Sequence, residues 1–134
     1  MAPEDMLALA RAAQTKAYAP YSGFFVGACL RTDTGELFAA CNVENAAYPQ
    51  SQCAEASAIG AMIAGGGRRI VEVLVIGAGD DLCTPCGGCR QRLNEFAGAD
   101  VPIHVCGSDG LRKTMTLGEL LPYSFGPSNL DKAR

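Results

Sequence analysis

Cys53-Ala54-Glu55 and Thr84-Pro85-Cys86-Gly87-Gly88-Cys89 are the two stretches of this sequence that decide its fold and its chemistry. Three cysteine thiols can hold one zinc ion and leave its fourth coordination position open for water, whereas a structural zinc site closes all four positions with protein ligands. A carboxylate, Glu55, stands two residues after the first of these cysteines. The pattern therefore predicts a catalytic zinc centre that performs hydrolysis.

Each stretch lies where a helix is predicted to begin. Cys53 opens an apolar run that continues to about residue 63, where a glycine cluster ends it. Thr84 suits the N-cap and Pro85 the first position of a later helix that ends near Gly98. Helix N-termini present free N–H groups and partial positive charge, which favour the thiolate form that metal binding requires.

The spacing within the second stretch supports a shared site. Cys86 and Cys89 are three residues apart, so both sulfurs lie on one side of a helix. At the mouth of its own helix, Glu55 can reach a water molecule on the metal and act as general acid and base. The sequence therefore predicts one zinc ion per chain, held by Cys53, Cys86 and Cys89.

Two other interpretations of the cysteines are open at this stage. A lone C-x-x-C pair can be a redox pair, although no thioredoxin-like context precedes this one. A closed zinc site would recruit Cys83, but Pro85 would have to turn that residue back and Glu55 would have no function. The single histidine, His104, alternates within a strand-like run and is interpreted as structural.

The remaining pattern predicts an α/β fold. Asp33-Thr34-Gly35 indicates a hairpin between strands at 24–30 and 37–41. The apolar, β-branched run Ile70–Ile76 is typical of a strand buried on both faces. A helix at 3–18, an irregular segment at 42–52, a strand at 101–106 and a short helix at 117–121 complete the order. We expect residues 1–134 to form a single domain, a three-layer α-β-α sandwich with a mixed, mostly buried sheet.

The composition and charge of the chain limit the kinds of molecule that it is expected to bind. The net charge of −3 disfavours nucleic acid, whose partners usually carry a basic patch. The N-terminal residues lack the basic start and apolar run of a signal peptide, and no apolar stretch is long enough to span a bilayer. Seven cysteines, an odd number, suit a reducing compartment. A cytoplasmic protein that does not bind membranes is expected.

The two stretches together resemble the signature of the small, all-cysteine cytidine deaminases, with Cys53 where the general zinc-deaminase pattern has His. Residues 21–28, 41–49 and 119–127 resemble that family's first strand, substrate loop and C-terminal tail, so the resemblance covers nearly the whole chain. It implies a cytidine deaminase-like fold and zinc-dependent hydrolytic deamination of cytidine and deoxycytidine in pyrimidine salvage. The products would be uridine, deoxyuridine and ammonia.

The resemblance also implies substrate contacts. Phe24 would pack on the pyrimidine face, although periodicity alone favours a core residue there. The side chains of Asn42 and Glu44 would bind the ribose hydroxyls, while the N–H of Ala54 and the carbonyl of Thr84 would read the base. In a homotetramer with shared active sites, three further residues would reach a neighbouring site: Ala46, Tyr48 and Phe125.

One position departs from the resemblance. Many members of the family have Arg directly after the catalytic Glu, where it bonds the ligand thiolates, but this chain has Ala56. Arg90, directly after Cys89, is the candidate to replace it.

Glu44 beside the sugar would repel a phosphate, so a nucleoside is favoured over a nucleotide. The alternatives are a deaminase of another aminopyrimidine nucleoside and a non-catalytic zinc-binding interaction domain.

Overall fold

The computed structural model describes residues 2–131, which form one sheet flanked by helices. The strands are β1 (Gly27–Thr32), β2 (Leu37–Cys41), β3 (Ile70–Ile76), β4 (Pro102–Gly107) and β5 (Gly110–Thr116). The helices are α1 (Glu4–Gln14), α2 (Ala54–Ala64), α3 (Gly87–Asn94), α4 (Leu117–Leu120) and α5 (Pro127–Asp131), with a 3₁₀ turn at Tyr48–Gln50.

The sheet is mixed, as predicted. Its strand order is β2-β1-β3-β4-β5, and only β3 and β4 run parallel. The β1–β2 hairpin turns at Asp33-Thr34-Gly35, where Gly35 has a φ of 89° that favours glycine. Because a parallel pair needs a crossover, α3 connects β3 to β4. This connection carries the chain from the end of β3 into the second cysteine stretch.

Helices cover both faces of the sheet, which confirms the sandwich. Helix α1 packs Met6 and Ala10 against one face, and a side chain at Gly27 would collide with the carbonyl of Ala10. Helices α2 and α3 pack on the other face through residues such as Met62 and Leu93. The middle of β3 is fully buried because its side chains alternate between these two cores.

Helix α1 ends at Gln14, earlier than the predicted residue 18. The backbone of Tyr18 is hydrogen-bonded to the 42–44 segment instead, through Tyr18 N to Asn42 O (3.0 Å) and Glu44 N to Tyr18 O (2.8 Å). This tertiary pairing takes the backbone groups that another helical turn would use. It also fixes the start of the irregular segment that was predicted to contact substrate.

Two elements were not predicted. Strand β5 follows a turn in which Gly110 has a φ of 105°, and it lies at the sheet edge, where polar and charged residues obscure the apolar alternation. Helix α5 is a single short turn after the tail. Within residues 2–131, no helix has the length and apolar character needed to cross a membrane.

Candidate active site and metal centre

Three thiols, those of Cys53, Cys86 and Cys89, meet at the N-terminal ends of two helices and form what we call the thiol cluster. The sulfur atoms of Cys53, Cys86 and Cys89 all lie within 4.8 Å of one another, and those of Cys53 and Cys86 are 3.8 Å apart. Cys53 is the N-cap of α2 and Cys86 the N-cap of α3, while Cys89 is in the first turn of α3 and fully buried. The donor set therefore fits one thiophilic ion such as zinc.

The start of α3 differs from the prediction. Thr84 and Pro85 are not its N-cap and first residue; the helix begins at Gly87, with the Arg90 N–H donating to the carbonyl of Cys86 at 2.9 Å. The Arg90 side chain explains the shift, because its Nε donates to the Pro85 carbonyl (2.7 Å) and its Nη2 to the Thr84 hydroxyl (3.2 Å). These bonds hold the two residues outside the helix.

The far end of α3 is also earlier than predicted, at Asn94 and not near Gly98. The carbonyl of Phe96 accepts a hydrogen bond from the Ile70 N–H at 2.9 Å, and Ala97 forms a bridge with Ile70. The chain therefore leaves the helix to pair with the start of β3.

Cys83 is not a member of the thiol cluster. Its side chain packs over Gly77, where any side chain would collide with it. Burial raises the pKa of the Cys83 thiol to about 11, so this residue is a neutral thiol at pH 7. The geometry thus presents three donors, an arrangement that leaves one position of a tetrahedral ion free.

Glu55 is buried beside the thiols, with only 4% of its surface exposed. Burial raises the pKa of the carboxyl group, and the positive charge of Arg92 opposes that rise. A buried carboxyl group with a raised pKa in a cavity is suited to taking up and releasing protons during a reaction.

Two of the three thiols, those of Cys53 and Cys89, resist becoming thiolates without a cation. Burial raises the pKa of Cys53 and of Cys89. Burial would also raise the pKa of Cys86, but hydrogen bonds from the Cys89 backbone and from the two neighbouring thiols lower it overall. Three sulfurs and a carboxylate in one place are stable as anions only when a cation is added, which agrees with a metal site.

A cavity of about 270 Å³ opens next to the cluster. It contains most of the residues predicted to contact substrate. Its lining is Phe24, Val26, Asn42, Glu44, Ser51, Gln52, Cys53, Ala54, Glu55, Cys83, Thr84 and Cys86. Phe24 precedes β1 and is 43% exposed, so the interpretation from periodicity as a core residue was wrong.

Asn42 and Glu44 line this cavity and also brace the segment before β1. The Asn42 side chain accepts from the Val26 N–H (2.9 Å) and donates to the Phe24 carbonyl (2.8 Å). Glu44 accepts from the Tyr21 N–H (3.0 Å) and from both the N–H and the hydroxyl of Ser22. Both residues line the cavity, and an amide or a carboxylate group can form more hydrogen bonds than these, so a bracing role and a binding role are compatible.

Ala46, Tyr48 and Phe125 do not line this cavity. Tyr48 is 69% exposed and lies beside the cavity mouth, with its ring centroid 5.7 Å from that of Tyr21. Phe125 is 60% exposed, and its backbone carbonyl accepts from Gln91 (2.8 Å) and from an Asn94 side chain (3.1 Å). The fold therefore anchors the tail on α3 and presents the ring outward.

Arg90 does not act on the thiols. Besides its bonds to Thr84 and Pro85, its Nη1 donates to the Leu120 carbonyl at 2.9 Å, so the whole guanidinium braces the second cysteine stretch against the end of α4. Arg92 is the arginine that contacts the cluster, with its Nη1 3.6 Å from the Cys89 sulfur. Sequence reasoning missed Arg92, although its spacing of three residues from Cys89 was a usable signal.

His104 has a structural environment, as predicted. Its Nδ1 pairs with the Thr114 hydroxyl at 2.9 Å and its Nε2 with the Glu72 carboxylate at 2.7 Å. Glu72 in turn accepts from Arg31, which also binds Asp5 of α1. This chain of ion pairs and hydrogen bonds ties α1 to β1, β3, β4 and β5 and involves no residue of the thiol cluster.

Comparison with known proteins places this geometry in a family. Residues 2–105 match the model of the cytidine and deoxycytidylate deaminase zinc-binding region. The cytidine deaminase of Sporosarcina psychrophila is 34% identical over 130 residues, which covers 97% of this chain and 96% of that protein. The cytidine deaminase of Mycobacterium tuberculosis is 37% identical over 118 residues, 88% of this chain and 85% of that protein.

A solved structure supports the same assignment. The crystal structure of the cytidine deaminase from Burkholderia pseudomallei superposes with a TM-score of 0.87 at 38% identity, covering 93% of this chain and 100% of that one.

Proposed function

This chain belongs to the cytidine and deoxycytidylate deaminase family, and we propose that it deaminates cytidine and deoxycytidine to uridine and deoxyuridine with release of ammonia. It is an enzyme with one zinc ion as cofactor. The observation that carries the proposal is the burial of Glu55 in the wall of a cavity that is also lined by Cys53 and Cys86 of the thiol cluster. A zinc domain that only binds partners has no use for such a carboxylate.

We assign the zinc ligands as Cys53, Cys86 and Cys89. When bound, the ion supplies Lewis acidity, which makes a water molecule acidic enough to serve as a nucleophile near neutral pH. The N-terminal ends of α2 and α3 point partial positive charge at the same place and help to hold the sulfurs as thiolates.

Glu55 moves the protons of the reaction. It accepts a proton from the attacking water and delivers it to N3 of the pyrimidine. It then carries the proton of the new hydroxyl group on C4 to the amino group, so that the C4–N bond breaks, ammonia leaves and C4 becomes a carbonyl. Its burial supports this role, because a carboxyl with a raised pKa exchanges protons at lower cost on each transfer.

The cavity lining suggests how the nucleoside is held. The exposed ring of Phe24 offers an apolar face to the pyrimidine, and the remaining hydrogen-bonding capacity of Asn42 and Glu44 can bind the two ribose hydroxyls. The N–H of Ala54, in the first turn of α2, is free to donate to the 2-oxo group. The carbonyl of Thr84 accepts from the 4-amino group in this arrangement.

A nucleoside is favoured over a nucleotide because of Glu44. Hydrogen bonds from Ser22 lower the pKa of this carboxyl group, so it is ionised at pH 7. A phosphate placed next to the sugar would meet this negative charge. Deoxycytidylate is therefore expected to be a poorer substrate than cytidine and deoxycytidine.

We further propose a single domain spanning residues 1–134 that assembles as a homotetramer with shared active sites. The exposed aromatic rings of Tyr21, Tyr48 and Phe125 support this, because large apolar side chains at the surface often mark interfaces. In such an assembly Ala46, Tyr48 and Phe125 would reach a neighbouring cavity. A cytoplasmic role in pyrimidine salvage is the context expected for this activity.

The substitution Glu55→Gln tests the proposed mechanism. It preserves shape and leaves all three thiols, so zinc content measured by atomic emission should remain at one ion per chain. Turnover of cytidine should fall by roughly 10²–10⁴-fold, the usual contribution of a positioned acid or base. Near-normal turnover in the zinc-loaded variant would assign the proton transfer to another group.

A further inference from the structure

The thiol cluster carries more negative charge than a zinc ion can neutralise. Three thiolates outweigh the two positive charges of zinc, and an ionised Glu55 adds to the excess. Ala56 and Ser57 follow Glu55, so α2 supplies no cation at that place. Excess charge on the sulfurs weakens the electrophilicity of the metal, and some group must compensate for it.

Arg92 reaches the cluster from the opposite helix. Its Nη1 lies 3.6 Å from the sulfur of Cys89, a contact distance for an N–H group because sulfur is a larger acceptor than oxygen. The two residues are three positions apart on α3 and share one side of it. Cys89 is fully buried, whereas Arg92 is exposed, so the guanidinium approaches this sulfur from the protein surface.

Gly88 makes room for this contact. A Cβ atom at that position would stand 3.2 Å from Nη1 of Arg92 and 3.9 Å from its Cζ, so the guanidinium lies directly over the glycine. Among residues 2–131, no carboxylate forms an ion pair with Arg92. Its charge is therefore available to the thiol of Cys89 and, at longer range, to the Glu55 carboxylate.

We propose that Arg92 is a positioning residue of the metal centre, which hydrogen-bonds the Cys89 thiolate and draws electron density away from it. A charge-assisted hydrogen bond of this kind offsets the third thiolate and keeps the bound zinc electrophilic. Arg92 does not line the cavity, so it acts through the metal ligand and not on the substrate.

The inference rests on the proposed zinc ligands. Replacing zinc with cobalt tests the ligand assignment and the role of Arg92 separately. Co²⁺ bound by thiolates absorbs light through electron transfer from sulfur to metal. A hydrogen bond stabilises the sulfur lone pairs, so its removal moves this band to longer wavelength. We therefore expect a shift to longer wavelength in Arg92→Met, a smaller shift in Arg92→Lys, and none in Arg69→Met, an exposed arginine away from the cluster.

Kinetics on the zinc-loaded variants give the second readout. Arg92→Met should lower kcat by about 10–100-fold, as is usual for a group that supports a metal ligand. KM should stay close to that of the unmodified protein, because Arg92 does not contact the cavity, and Arg92→Lys should recover part of kcat. Arg92 is exposed on a helix surface, so these substitutions leave the packed core intact.

Two results would overturn the inference, and they are distinguishable. A charge-transfer band and a kcat in Arg92→Met that match those of Arg69→Met would show that Arg92 has no effect on the metal centre. The absence of any sulfur-to-cobalt band in the unmodified protein would instead defeat the ligand assignment, and the inference with it.

Discussion

At the scale of single residues, the thiols of Cys83 and Cys86 are three positions apart in the sequence and have opposite surroundings. Cys83 packs over Gly77 with a pKa raised to about 11, whereas Cys86 faces two other sulfurs at the end of a helix. From the sequence alone, either Cys83 or Cys86 could be a metal ligand. The difference arises from the path of the chain after β3, which no local pattern reveals.

Cys86→Ala should therefore lose both zinc and cytidine deaminase activity, because two thiols bind zinc far more weakly than three. The matched variant Cys83→Ala should keep one zinc per chain and at least about half of the activity. Metal content and turnover on the same preparations decide the matter. Loss of zinc from Cys83→Ala would mean a closed four-cysteine site and no catalytic metal.

At the scale of helices and strands, local patterns predicted the elements that local interactions determine. The hairpin at Asp33-Thr34-Gly35, strand β3 and the start of α2 agree with the sequence, because turn residues, β-branched runs and glycine stops act over a few neighbours. The predicted start of α3 was wrong because the side chain of Arg90 holds Thr84 and Pro85 out of the helix. Strand β5 was missed because an edge strand needs little apolar character.

In the candidate site, too, local sequence patterns predicted some features and long-range contacts determined the others. The residue types and spacing of Cys53, Glu55, Cys86 and Cys89 were sufficient to predict one site from the sequence. They were not sufficient to predict that Arg92, and not Arg90, contacts the thiol cluster. Arg90 is held away from the thiols partly by the Leu120 carbonyl, which lies 30 residues further along the chain. Long-range contacts of this kind are invisible in a single sequence.

At the scale of the whole molecule, the outward rings near the cavity predict an assembly. Sedimentation velocity should give a homotetramer. Phe125→Ala should raise KM for cytidine by about tenfold, the loss expected when one aromatic contact worth roughly 1–1.5 kcal/mol is removed. Zinc content should not change, because Phe125 belongs neither to the thiol cluster nor to the cavity lining in its own chain. A fully active monomer would contradict the shared site.

The most direct test of the central claim is steady-state deamination by protein whose zinc content is measured on the same sample. With one zinc per chain, cytidine and deoxycytidine should each yield their uracil nucleoside and one equivalent of ammonia, with deoxycytidylate converted much more slowly because of Glu44. A fully zinc-loaded protein that converts neither nucleoside would contradict the account.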